Sequence, residues 1–126
     1  MATAVKDALQ VVAELGEAWN ARNVEKIVVL FTEDGVWEAS WGQQYAGKED
    51  IRQGLAQLFG NVPDVRFIGA KRFASGDNVV SEWRVVGTGP DGTKIDEQGC
   101  DVYTLRGGKV LSKRAYRKAL LWNRPA

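Results

Sequence analysis

Asp101 stands in the middle of EQGCDVYTL, residues 97 to 105, a run whose Val102, Tyr103, Thr104 and Leu105 favour a β-strand. Aspartate is poor strand material, so its presence has two readings. Either it is a carboxylate on the solvent face or tied to a neighbouring arginine, or it is a carboxylic acid held in an apolar cavity. In the second case desolvation favours the neutral form, which can donate a hydrogen bond or shuttle a proton. Strand alternation groups Asp101 with Gly99, Tyr103 and Leu105, against Cys100, Val102 and Thr104. Apolar residues occur on both faces, and parity leaves both readings open.

The sequence contains no histidine. Serine–histidine triads, cysteine–histidine dyads and the common zinc sets are thereby excluded. Carboxylates, tyrosine, lysine and Cys100 remain for acid–base work. No clustered acidic loop of the EF-hand kind is present, and neither a metal nor a cofactor is expected. Glu82 and Arg84 lie two apart on SEWRVV and therefore share a face, either to orient a polar ligand or as an exposed ladder. Tyr103 and Tyr116 each offer a phenolic donor for a carbonyl or enolate oxygen, or serve as interface tyrosines. Cys100 has no flanking base and reads as packing. Trp19, Trp37 and Trp41 either line a cavity for a flat apolar ligand or fill an ordinary core. SKRAYRK, residues 112 to 118, is the one basic cluster. Its charges alternate faces, with Lys113 and Arg117 on one and Arg114 and Lys118 on the other, which favours a solvated strand or a dimer edge over a nucleic-acid surface.

The elements that must position these groups follow from periodicity. Val5, Ala8, Leu9, Val12, Leu15 and Trp19 recur at three and four, predicting a helix capped by Thr3. A short second helix follows the cap Asn23 and carries Ile27, Val28, Leu30 and Phe31 until TEDG breaks it. VWEAS, residues 36 to 40, predicts a strand on which Trp37 and Ala39 share parity and Glu38 points the other way. WGQQYAG reads as a loop before a third helix around Ile51, Leu55, Leu58 and Phe59. Four strands then follow, punctuated by ASGDN, GPDG and RGGK at hairpin spacing. This order is an α+β arrangement, in which an antiparallel sheet packs helices on one face.

With 126 residues, 17 basic against 16 acidic and a net charge of +1, the chain fits one domain spanning 1–126 and shows no bulk charge that calls for nucleic acid or an anionic membrane. One cysteine permits no intrachain disulfide, as suits a reducing cytoplasm. No apolar segment approaches a membrane span, and a soluble, unprocessed protein is expected.

The segments WNARNVEKIVVLFTEDGVWEAS, YAGKEDIR and GCDVYTLRGGKVLSKRAY resemble the nuclear transport factor 2-like superfamily, especially its SnoaL-like polyketide cyclase and ketosteroid isomerase branches, over nearly the whole chain. The resemblance implies a cystatin-like, cone-shaped α+β barrel in which a curved antiparallel sheet wraps three N-terminal helices around an apolar cavity, often as a homodimer formed through the sheet. Superfolds host unrelated activities, so the site has to be matched residue by residue. Of the three isomerase positions, the tyrosine falls at Leu15 and the base at Ala39, both lost, while the late-strand aspartate falls at Asp101. The aspartate–arginine–aspartate set of limonene-type epoxide hydrolases finds only Glu82, Arg84 and Asp101 in a different order, with Ala115 where the final aspartate would stand. Scytalone dehydratase-like chemistry needs histidine. The cyclase branch, with a sheet aspartate as acid and base, is left least contradicted.

The expectation is a protein that binds a small, mostly apolar or aromatic molecule and performs cofactor-free cyclisation, isomerisation or dehydration with Asp101 as the proton-handling group. Leu15, Trp19, Trp37, Ala39, Trp41, Leu55, Phe59, Glu82, Arg84, Tyr103 and Tyr116 would surround the ligand. A non-catalytic ligand-binding or protein-association module of the same fold is the alternative.

Overall fold

The computed structural model describes residues 7–118. Helix α1 runs Ala8–Asn20 and is capped by Asp7, whose carboxylate accepts from the Gln10 backbone N–H at 2.9 Å while the Gln10 side chain accepts from the Asp7 N–H. This reciprocal box satisfies two of the helix's free amide donors and fixes its start. Thr3, the expected cap, lies outside the described residues. The buried stripe is Val11, Val12, Leu15, Ala18 and Trp19, while Leu9 is exposed.

Helix α2, Val24–Val29, is capped by Asn23 as expected. It ends earlier than the sequence suggests. Phe31 begins strand β1, Phe31–Glu38, and TEDG lies within that strand instead of breaking a helix before it. The reason is tertiary: Phe31 pairs with Val110 and Val36 with Ser112, and an irregularity between the two pairs absorbs the polar segment. The stretch read as a loop also contains a short strand β2, Gln44–Ala46, whose Tyr45 is buried and stacks on Trp37 at 4.6 Å. Helix α3 spans Lys48–Asn61.

Four long strands complete the chain, β3 Arg66–Ser75, β4 Asn78–Thr88, β5 Lys94–Arg106 and β6 Lys109–Arg117. The sheet order is β2-β1-β6-β5-β4-β3. It is a curved, unclosed sheet with β2 and β3 as edges, so the α+β class holds while the barrel stays open. One pairing departs from the antiparallel expectation, since β1 and β6 run parallel. Helix α1 packs against β3, β4 and β6, and α3 against β1 and β2, so the helices cover one face.

Alternation within β4 sets the two faces of the sheet. Val79, Ser81, Trp83 and Val85 are buried towards the helices, and Glu82 and Arg84 are exposed. On β5 the inward set is Asp101, Tyr103 and Leu105. Gly99, directly opposite Trp83, continues that face without a side chain. A Cβ there would come within 2.5 Å of the Trp83 indole and collide with the Tyr116 carbonyl oxygen. Glycine at 99 thus lets the Trp83 ring lie across β5, which aims its N–H at the next inward residue, Asp101. No helix among the described residues is long and apolar enough to cross a membrane.

Candidate functional site

Asp101 is 4 % exposed and sits at the centre of three donors. Trp83 Nε1 donates to Oδ2 at 2.9 Å, the Tyr103 hydroxyl donates to the same oxygen at 3.2 Å, and Lys113 Nζ donates to Oδ1 at 3.3 Å. Each donor arrives by strand register. Trp83 comes from β4, Tyr103 is the next inward residue on β5, and Lys113 lies opposite Tyr103 on β6. Asp101 is therefore an acceptor in this arrangement. Beside the two readings taken from the sequence, the geometry adds a third feature, a buried lysine at Oδ1.

Lys113 is as buried as its partner, at 4 % exposure. Its Nζ lies 4.3 Å from the centroid of the Trp19 ring and 5.9 Å from those of Trp37 and Tyr103. Ring quadrupoles attract a cation at such distances, by about 2 kcal/mol when the pair is desolvated. Lys113 thus belongs to the interior, and the solvated-strand reading of SKRAYRK does not hold at this position. Apart from Asp101 it has no hydrogen-bond acceptor among the described residues. Two of its N–H bonds have no acceptor among the described residues.

Burial pushes the Tyr103 phenol well above its usual value, and the neighbouring Asp101 charge and the hydrogen bond to it add to this, while Arg72 opposes. Tyr103 therefore stays a neutral donor through the physiological range. Burial also raises the Cys100 thiol, reinforced by the charges of Asp101 and Glu82. Cys100 faces the other side of β5 and takes no part in the cluster.

Two adjoining spaces meet at this cluster. A chamber of about 180 Å³ is walled mainly by Trp19, Trp37, Trp41, Phe67, Trp83 and Val85, and Asp101 and Lys113 form part of its wall. A smaller one of about 40 Å³ lies under α1, where Leu15, Arg72, Ser81 and Tyr103 join the same charged pair. Of the residues singled out in the sequence, Leu15, Trp19, Trp37, Trp41, Asp101 and Tyr103 border these spaces. Ala39 and Leu55 are buried in the core, and Phe59 packs edge-on against Trp19, none of them on a chamber wall. Glu82, Arg84 and Tyr116 are placed on the outer face by strand parity. Arg84 forms an ion pair there with Asp96, and Tyr116 is exposed.

Trp83, Arg72 and Ser81 are not marked as site residues by the sequence, and Lys113 is read there only as part of a basic cluster. A signal for Trp83 was present, because the alternation that groups Glu82 with Arg84 puts Val79, Ser81, Trp83 and Val85 on the opposite, mostly apolar face. Nothing local marks Lys113, whose burial depends on strands β1 and β5 closing on either side. Among the described residues no group of three or more His, Cys, Asp or Glu side chains is placed to hold a metal ion.

The family model of the SnoaL-like domain matches residues 12–113, which spans every element from α1 to Lys113. The chain belongs to the SnoaL-like domain family. No curated protein matches the sequence. Among solved structures, this SnoaL-like protein is similar to an uncharacterised cystatin-fold protein from Novosphingobium aromaticivorans, with 26% identity and a TM-score of 0.79 over 89% of this chain and 99% of that one. A candidate polyketide cyclase from Pseudomonas putida KT2440 shares 16% identity and a TM-score of 0.84, covering 93% and 96% of the two chains. TerC, co-crystallised with polyporic acid, shares 18% identity and a TM-score of 0.79, covering 91% and 94%. The last two likenesses concern the fold.

Removing one member of a buried ion pair leaves the other charge uncompensated, at a cost of about 3–5 kcal/mol. Lys113→Met is expected to lower unfolding free energy by that amount in urea titration, and the double variant with Asp101→Leu to recover much of it. The Tyr103 phenol, raised in the folded state, contributes stability that is fully present below the unfolded tyrosine value of about 10 and is lost as pH rises beyond it. Tyr103→Phe should flatten the decline in stability above about pH 10, measured by denaturant titration across that range.

Proposed function

We propose that this SnoaL-like protein binds a small, mostly apolar molecule in the aromatic chamber and performs cofactor-free proton transfer on it. Asp101 would act as the proton-handling base and Lys113 as the donor to a developing oxygen anion. The observation that carries this reading is the Asp101–Lys113 pair, wholly inside the protein yet on the wall of open space. A buried pair is weak as a stabilising device, because desolvation of both ions offsets their attraction. Placed beside a chamber, the same pair gains a use.

The chemistry follows from the unused valences. Oδ2 of Asp101 already accepts two hydrogen bonds, whereas Oδ1 accepts one and keeps a lone-pair direction free. A ligand with an acidic C–H next to a carbonyl would present the proton to Oδ1 and the carbonyl oxygen to Lys113. Enolate charge would then develop against a fixed N–H donor in a water-poor site, where such a donor is worth most. Isomerisation, cyclisation and dehydration all pass through a step of this kind. Chamber size narrows the guest, since benzene occupies an engineered cavity of about 150 Å³. One or two rings suit 180 Å³ better than a steroid does. The polyporic acid in TerC crystals favours a small organic ligand over a macromolecular one.

Incubation with a bicyclic enolisable ketone such as 2-tetralone in deuterated buffer tests the reading, with exchange of the α-proton followed by NMR. Wild type should accelerate exchange over buffer, and Asp101→Asn should reduce the rate by about 10²–10⁴-fold while still binding the ketone. Binding without any exchange by wild type would instead favour the non-catalytic module.

A homodimer through the outer sheet face completes the proposal. That face exposes Phe73 and Tyr116, each 53% accessible, beside the half-buried Val80 and Val102. Sedimentation velocity should return a dimer for wild type and a monomer for Val102→Glu. A monomeric wild type overturns the dimer and leaves the chamber unaffected.

A further inference from the structure

Arg72 is the charged residue of the inner chamber that the proton-transfer scheme does not use. Register places it directly opposite Ser81, which is opposite Asp101, so the three form one row across β3, β4 and β5 on the helix-covered face. Its guanidinium reaches under α1, where the absence of a side chain at Gly16 admits it. A Cβ at Gly16 would sit 2.7 Å from Arg72 Nη2. Arg72 is partly buried, its Nε is enclosed with no acceptor, and among the described residues it has no hydrogen bond or ion pair. Arginine cannot shed its proton in a protein, so this charge persists without a counter-ion.

The lining of the small chamber therefore contains two cations, Arg72 and Lys113, and a single carboxylate, Asp101. Its composition leaves one positive charge unbalanced, in a space of about 40 Å³. A water molecule needs about 10–15 Å³ of such space, so the chamber holds roughly three waters or one planar carboxylate group. The larger chamber next to it, sharing Trp19, Phe67 and Trp83, is aromatic. We propose that the ligand of this protein is a small aryl carboxylic acid whose carboxylate is held by Arg72 in the inner chamber while its ring occupies the aromatic chamber beside the Asp101–Lys113 pair. Guanidinium binds carboxylate in a fork of two parallel hydrogen bonds, which selects a planar anion over a neutral amide of the same shape. The inference deepens the proposed function and rests on these chambers being the ligand site. Arg72 is then the residue that determines specificity.

Calorimetric titration of the full chain with benzoate and with benzamide, its neutral isostere, tests this. Wild type should prefer benzoate by about tenfold or more, the scale of a hydrogen-bonded charge. Arg72→Met should abolish the preference by weakening benzoate far more than benzamide, and Arg72→Lys should restore part of it. Equal affinities in wild type, no saturable binding of benzoate, or an Arg72→Lys variant with undiminished preference alongside an Arg72→Met variant weakened equally for both ligands would overturn the proposal. Wild type alone suffices for the first two outcomes if a variant fails to fold. Loss of the charge preference with Asp101-dependent exchange intact removes this inference only, and the reverse result removes only the catalytic reading.

Discussion

The burial of one carboxylate and one ammonium side by side is the constraint around which the interior is arranged. Each ion gives up hydration worth several kcal/mol even after the protein relaxes, and mutual attraction offsets that only when the remaining valences are filled. Here most of them are met, and one lone-pair direction of Asp101 Oδ1 and two N–H bonds of Lys113 stay open. Trp83 and Tyr103 donate to the far oxygen of Asp101, and the faces of Trp19, Trp37 and Tyr103 surround the cation. Aromatic residues in this core therefore have two tasks, packing as any large side chain does and solvating charge where water does not reach.

This requirement propagates outward to residues with no chemistry of their own. Gly99 gives up a side chain so that the Trp83 ring can cross β5, and Tyr45 from the short edge strand backs Trp37 from behind. Gly54 on α3 in turn accommodates Tyr45, because a Cβ there would meet the tyrosine ring at 2.5 Å. A chain of contacts thus runs from helix α3 through Tyr45 and Trp37 to the ammonium of Lys113. Substitutions far from the chambers can be expected to act through it.

Much of the architecture was legible in the residues. Helical spacing marked α1 and α3, Asn23 marked the start of α2, and three glycine-containing turns separated the long strands. Residue types marked β5 around Asp101, and alternation grouped that residue with Tyr103 and Leu105. What stayed hidden were the pairings between distant segments. The register of β6 against β5 buries a lysine drawn from a basic run, and the parallel contact with β1 turns TEDG from a helix stop into strand. Neither depends on local propensity, and periodicity carries no information about which strand will lie alongside. Glu82 and Arg84 were misplaced for a different reason, since charge invited a functional reading where the mostly apolar face of the same strand was the informative one.

The place of β6 in the sheet has a consequence for how the molecule forms. It is later in the chain than every other strand, yet it lies between β1 and β5 and joins the two halves of the sheet. Until it arrives, Phe31 and Val36 have no neighbour on that side, and the helices have no continuous surface to cover. Contacts between such distant segments pay their loop-closure entropy before any reward, which makes assembly slow and late. During synthesis the nascent chain would thus hold the Asp101 carboxylate and the tryptophans with no Lys113 among them. Closure of the sheet and pairing of Asp101 with Lys113 are then a single event, timed by the emergence of one strand from the ribosome.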